Sequence, residues 1–332
     1  MPTRKTGKDR VPLLIKGAHT LLCYFLKLWV DLNMNQSKEN IDTKGAAKTG
    51  DQPTMIVAIE QNFPKELRVI EDNLAAQLYS GSNRFWINLT KIASIRNWMV
   101  NFTTKFMQGG WSFCLVRKRY IDERLIEVIT ENKIKAVVNL GAGFDTRLYR
   151  LTEAQNISAW EVDQAVNIDA KRKAIQKALG VFPNHVKQVS INFINQDLGE
   201  VLKRHGYLGT EKTFLIWEAV SQYLNEPAVQ KTFDFFSKVP VGSRLAFTYV
   251  LKDFITGENL YGQEKIYKKF ILKDKIWHFG FDPNQIEAYL NKNGWKLIED
   301  IDYAELGDRY VKPTGRSLGV LEIERMVYAE KM

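Results

Sequence analysis

The sequence predicts an α/β fold: a doubly wound, mostly parallel seven-stranded sheet with an antiparallel edge strand, preceded by an N-terminal helical cap. Three observations predict it. From residue 136 onward, short apolar runs alternate with amphipathic stretches, as βαβ units do. The first run ends in the glycine turn Gly141-Ala142-Gly143. The last two runs lie close together, which suggests an antiparallel pair.

The elements follow in order. Residues 1–10 are polar and basic, and 11–32 are mostly apolar. Lys16, His19 and Lys27 interrupt that run, which falls short of the ~20 apolar residues a membrane span needs. Three readings stay open for it: an amphipathic helix on the protein or on a membrane surface, a poorly ordered extension, or upstream sequence preceding a true start at Met34. The membrane reading is not favoured. Residues 35–53 read as a disordered linker. A first segment, 1–53, is therefore set apart from a helical cap over 54–134 and a nucleotide-binding domain over 135–332.

In the cap, Leu67, Ile70, Leu74 and Leu78 fall at helical spacing, as do Ile121, Leu125, Val128 and Ile129. Between them runs an aromatic-rich stretch, Phe85 to Phe113, broken by Gly109-Gly110. It reads as core packing, with a substrate lid hinged at the glycines as the alternative. Strands are expected at Ala136–Leu140, Ile157–Val162, Val189–Asn195, Thr213–Trp217, Leu245–Leu251, Trp295–Ile301 and Leu318–Tyr328. Helices follow at 166–179, closed by Gly180, after the cap Asn225, and from Asp282-Pro283.

Composition bounds the function. The chain has 332 residues, 45% hydrophobic and 26% charged, which is ordinary globular material. The net charge is +9, but residues 1–34 hold six basic residues against Asp9 and Asp31. The rest shows no basic cluster with interleaved aromatics, so no nucleic-acid partner is expected. Cys23 and Cys114 form no C-x-x-C pair, and the four histidines have no ligand spacing. No metal is expected, and a reducing, cytoplasmic setting is.

The chemistry is expected at the glycine turn. A doubly wound sheet binds its ligand beyond the carboxyl ends of its strands, where the first strand delivers Gly141 and Gly143. A dinucleotide fingerprint needs a third glycine three residues after the second, and Thr146 stands there. The triphosphate-gripping Gly-Lys-Ser/Thr is also missing. S-adenosylmethionine carries no phosphate, so a shorter turn suffices for it. Its ribose needs an acceptor for two hydroxyls. Asp163, twenty residues after Gly143, supplies a carboxylate at the end of the second strand, with Glu161 as the alternative.

At this point the residues resemble the leucine carboxyl methyltransferase superfamily, and most of all its bacterial-type O-methyltransferases. The resemblance runs from about Val116 to Ile301. Asn139–Leu151 (NLGAGFDTRLYRL) is similar to the family's cofactor loop almost letter for letter. Arg117–Asp122 matches its R-x-R-x-x-D helix, Trp160–Asp163 its ribose strand, and Ile216–Leu224 its fourth-strand signature. The resemblance implies a class I methyltransferase-type sheet and S-adenosylmethionine as cofactor. It implies that Arg117 clasps the methionine carboxylate (Arg119 being the alternative), that Gly141 and Gly143 lie against the cofactor, and that Asp163 holds its ribose. Asp197 and Leu198 should flank the adenine, and Glu218 should sit under the amino group. Asp145 should brace the loop, and Arg147 should pair with an acid. Trp217, Ser221 and Gln222 depart from the family pattern near the acceptor side, and the N-terminal-arm lysine of the eukaryotic enzymes has no match.

Methyl transfer mainly requires alignment of acceptor and methyl. A carboxylate needs no base, whereas a hydroxyl does. No His–Asp pair is evident. Tyr223, with Glu218, is the catalytic candidate, and Tyr249 and His278 are further ones. The expected reaction is O-methylation of a carboxylate or hydroxyl on a small molecule. A catalytically inactive cofactor-binding module, carboxyl methylation of a protein C-terminus and an NAD-dependent oxidoreductase are the alternatives.

Overall fold

The computed structural model describes residues 51–193 and 195–332. The N-terminal extension, the apolar run 11–32 and nearly all of the expected linker lie outside the described residues. Among those described, no helix is long and apolar enough to cross a membrane.

The chain enters through helix α1 (Gln52–Glu60), then α2 (Gly81–Leu89), α3 (Ala93–Phe106) and the long α4 (Gly110–Thr130). Between α1 and α2 the periodic residues 67–78 do not form an α-helix. Leu67 and Leu78 lie in two 3-10 turns, Lys65–Leu67 and Ala75–Leu78, with Ile70 and Leu74 in the stretch between. Side chains take the backbone groups that a helical ladder would use. Glu60 accepts from the Val69 N–H, and Asp72 from Leu74 and Ala75 at 3.0 and 2.8 Å. The spacing buried Ile70, Leu74 and Leu78 without imposing a helix.

The lid hinge at Gly109-Gly110 has a simpler explanation. Gly109, at φ +75°, starts α4 against the backbone of Val320, where a Cβ would fall 2.2 Å from a carbonyl carbon. The glycine is needed for close approach.

The sheet comprises β1 (Ala136–Leu140), β2 (Ser158–Asp163), β3 (Val186–Ser190), β4 (Thr213–Trp217), β5 (Arg244–Val250), β6 (Trp295–Ile301) and β7 (Glu324–Lys331). Its order is β3-β2-β1-β4-β5-β7-β6, with β1 to β5 parallel and β7 antiparallel to both neighbours. β7 inserts between β5 and β6, so the antiparallel pair closes this side of the sheet. Between the strands run α5 (Arg147–Arg150), α6 (Ala165–Leu179), α7 (Leu198–Arg204) and α8 (Glu226–Phe236). After β5 come α9 (Lys252–Thr256), α10 (Glu264–Ile266) with a π-helical continuation over Tyr267–Lys273, and α11 (Ile286–Lys292).

Two strands are displaced from the sequence expectation. β3 starts at Val186 and stops at Ser190, because the chain bends after Ile191, whose N–H reaches the Asp163 carbonyl. β7 starts at Glu324 rather than Leu318. The apolar stretch before it is buried by packing against the start of α4.

Both faces of the sheet are covered. On one, Trp217 packs edge-on against Phe233 and Phe236 of α8 and tilts against Phe247 of β5. Towards the other edge of the sheet, Tyr120 of α4 donates to Glu299 of β6, and Arg124 lies over the Tyr328 ring of β7.

Candidate functional site

The chain winds from β1 to β2 and β3 on one side, then crosses back to β4 on the other. β1 and β4 therefore flank the switch point where open α/β sheets bind ligands. Three acidic or glycine features converge at the carboxyl ends of these strands: the Gly141–Gly143 turn, Asp163 and Glu218.

Gly141 adopts φ +67° and Gly143 φ +43°, the left-handed region that favours glycine. A Cβ on Gly141 would lie 2.3 Å from Val220 Cγ2, so the turn is pressed against the segment that follows β4. Asp163 is 6% exposed. Its Oδ2 accepts the Gly143 N–H at 2.6 Å, and its Oδ1 accepts from Gln164 N–H and Asn167 Nδ2 at 2.6 and 2.8 Å. The carboxylate thus ties β2 to the glycine turn and keeps one lone pair of Oδ2 unspent.

Glu161, the alternative to Asp163, is committed elsewhere. It is fully buried, 2.7 Å from Lys171 Nζ and 2.6 Å from the Tyr149 hydroxyl. Burial pushes its carboxyl up, and Lys171 and Tyr149 offset part of that.

Glu218 sits at the centre of a buried charge cluster. Arg117 Nε lies 2.9 Å from its Oε1, Lys118 Nζ 3.2 Å from the same oxygen, and Arg147 Nη2 2.9 Å from Oε2. Burial alone would raise the Glu218 carboxyl, but Lys118, Arg147 and Arg117 overcome this and hold it at about 2. Arg147 also lies 3.2 Å from both Asp122 and Asp145. Asp145 turns inward, accepting from Arg147 N–H and Asn139 Nδ2, and its carboxyl is held well below the usual range despite burial, by Arg147, Lys118 and Lys171.

Helix geometry separates the two arginine candidates. Residues two apart on a helix point roughly 200° apart. Arg117 faces Glu218, whereas Arg119 pairs with Glu123 at 2.9 Å and donates to the Val69 carbonyl. Among the described residues, Arg117 spends only its Nε–H in a hydrogen bond, and Lys118 bonds only Glu218.

Sequence reasoning passed over Lys118 and Glu324, and noted Asp122 only as the last residue of the R-x-R-x-x-D motif. Glu324 on β7 is buried, 3.9 Å from Arg117, and accepts from Thr248 Oγ1, which in turn accepts the Ala219 N–H. The signal for Lys118 was its place on a helix face that Trp111, Leu115, Ile121 and Leu125 make apolar.

Asp197 caps α7 through Oδ1, 2.9 Å from Glu200 N. Together with Leu198, Phe193, Lys231 and Phe235 it borders a cleft of about 290 Å³ between α7 and α8. Trp217, read as an acceptor-side residue, is a core side chain instead, 1% exposed, because strand alternation turns it toward α8. The Tyr249 hydroxyl donates to Asp300, and His278 is exposed. Tyr223 is half-buried in the turn Ser221–Tyr223, its ring edge-on to Trp277. Among the described residues, no group of three or more His, Cys, Asp or Glu could hold a metal.

Comparison with known proteins places this geometry. A protein of Mycobacterium avium, assigned by inference as an S-adenosyl-L-methionine-dependent methyltransferase, is 29% identical over 195 residues, covering 55% of this chain and 60% of the relative. One of Mycobacterium marinum, likewise assigned, is 31% identical over 135 residues, covering 40% of this chain and 44% of the relative. The chain thus spans about half of these relatives' length. Among solved structures, a protein of Thermobifida fusca, assigned by inference as a methyltransferase, aligns with a TM-score of 0.53 at 16% identity, covering 82% of this chain and 97% of that one. The likeness to it is one of fold. The family model for leucine carboxyl methyltransferase matches residues 52–237, more than half of the chain, and the chain belongs to that family.

Proposed function

We propose that the protein is an S-adenosylmethionine-dependent methyltransferase acting on oxygen, with a small-molecule carboxylate favoured over a hydroxyl as acceptor. The observation that carries the reading is the cluster around Glu218. Its carboxylate has about four lone-pair sites, and three cations take three of them. The remaining site suits an α-ammonium. Arg117 and Lys118 keep donors for an α-carboxylate beside it. Such an arrangement receives an amino acid zwitterion, and the cofactor's methionine moiety is one.

The other residues fit the same group. The glycine turn holds left-handed backbone at the carboxyl end of β1, and Asp163 keeps acceptor capacity for the ribose. Asp197, whose Oδ2 is not used in capping, and Leu198 suit the adenine end. When bound, the cofactor would supply a methyl carbon activated by its sulfonium, for transfer to the acceptor oxygen with the sulfur as leaving group. A carboxylate accepts the methyl without losing a proton, so no base is required. Alignment then falls to the Ser221–Tyr223 turn, which Ser221 ties to the Thr248 carbonyl at 3.1 Å.

An acceptor screen tests the reading. The protein is incubated with S-adenosylmethionine and panels of small carboxylates, phenols and peptides, and release of S-adenosylhomocysteine is followed. Turnover confined to carboxylates is expected. Turnover confined to phenols or peptides contradicts the favoured acceptor.

A further inference from the structure

We propose that Gln222 and Trp277 form the polar end of the methyl-acceptor pocket, and that the acceptor they hold is a carboxylate carried on an aromatic body. This rests on the methyltransferase reading above. Gln222 Oε1 and Trp277 Nε1 are among the buried side-chain atoms of the described residues that have no hydrogen-bond partner, on residues 2% and 6% exposed. They come from segments that are joined directly. The His278 N–H donates to the Gln222 carbonyl at 2.7 Å, and the Tyr223 ring meets Trp277 edge-on at 6.4 Å. Gln222 also stands two residues after Val220, the side chain pressed against Gly141. Gln222 therefore belongs to the segment that borders the cofactor turn, and Trp277 to the stretch joined to it.

Trp277 is fixed in place. Its ring stacks on Phe270 at 4.9 Å and touches Phe254, and the backbone N–H groups of Ile276 and Trp277 both reach back to the Phe270 backbone carbonyl. An indole N–H only donates, and a buried one left unpaired costs about 1–3 kcal/mol. A rigid orphan donor is accounted for if a ligand oxygen pairs it. The Gln222 amide can turn to present its NH2 group, since either orientation fills the same space. Two donors on neighbouring segments suit one carboxylate oxygen, leaving the second oxygen to meet the methyl carbon.

Two further features point the same way. The stretch Glu264–Lys275 carries five lysines against Glu264 and Asp274. Lys265 and Lys269 are engaged, but Lys268, Lys273 and Lys275 are exposed and give the approach a positive field. Tyr223, Tyr267 and Phe270, all half-buried, belong to the aromatic cluster around Trp277 and Phe254. An aromatic body on the carboxylate matches that surround.

Calorimetric titration of the protein loaded with S-adenosylhomocysteine tests the proposal. The probes are benzoate and 3-phenylpropionate, with benzamide and 3-phenylpropanamide as neutral controls. At least one acid is expected to bind tenfold or more tighter than its amide. Trp277→Phe and Gln222→Met should each remove most of that preference, while S-adenosylhomocysteine affinity stays within about twofold. If Trp277→Phe does not fold, Gln222→Met alone carries the test. Equal binding of acid and amide, no binding of either acid, or an unchanged preference in the variants overturns the proposal. Failure of the unaltered protein to bind S-adenosylhomocysteine overturns the methyltransferase reading instead.

Discussion

Arg117 Nε lies 2.9 Å from Glu218 Oε1, across 101 residues of sequence. This one bond ties the long helix before the sheet to the end of β4. Both side chains are buried, and Lys118 and Arg147 share the same carboxylate. Removing one partner of a buried ion cluster leaves uncompensated charge and costs about 3–5 kcal/mol. Glu218→Gln is therefore expected to lower the melting temperature and to weaken S-adenosylhomocysteine binding at least tenfold. A variant as stable and as tight as the parent protein, by thermal shift and calorimetry, is incompatible with this cluster being the amino acid receptor.

On the proposed reading, Lys118 distinguishes the amino acid end of the ligand from its nucleoside end. Lys118→Met should weaken S-adenosylhomocysteine about tenfold but leave 5′-methylthioadenosine, which has no amino acid moiety, unchanged. Lys118→Arg should restore much of the loss. Equal weakening of both ligands would assign Lys118 to general packing.

Much of this was legible in the chain, and the reasons differ by feature. Strand–helix alternation located all seven strands, since period and length are local properties. Gly141, Gly143 and Asp163 were legible because the carboxyl ends of strands bring fixed offsets together. Lys118 and Glu324 were not, because their partners lie far off in sequence. The 67–78 stretch misled for another reason. Its apolar spacing is helical, but Glu60, Gln61 and Asp72 offer the backbone other partners. Trp217 looked like a substrate residue only because the face it takes on β4 depends on a register that the letters do not state.

The charge cluster also sets a pH dependence. Glu218 is held at about 2, below its ordinary 4.5. An acid with a depressed folded pKa contributes stability above its unfolded pKa and loses it as pH falls through the folded value. The melting-temperature gap between the parent protein and Glu218→Gln should be full above about pH 4.5 and shrink as pH falls toward 2. Glu324, pushed up by burial, has the opposite sign, so its contribution declines as pH rises through its raised value. A gap independent of pH across that acid range would contradict the assignment of Glu218 as the ionised hub.

Gly141 tests the turn itself. Alanine there meets Val220 Cγ2 and must hold φ +67°, a left-handed conformation that costs roughly 1–2 kcal/mol for a residue with a Cβ. Gly141→Ala is expected to lose more than tenfold in S-adenosylhomocysteine affinity. Adding Val220→Ala should recover part of that loss, because it removes the atom that clashes. No recovery in the double variant would place the damage elsewhere than at this contact.

The most direct measurement is a thermal shift of the protein with S-adenosylmethionine, S-adenosylhomocysteine and NAD in parallel, alongside Asp163→Ala. The site described here predicts that the first two raise the melting temperature, that NAD does not, and that the rise disappears in a folded Asp163→Ala protein. A rise with NAD alone, or an undiminished rise with S-adenosylmethionine in Asp163→Ala, would contradict it.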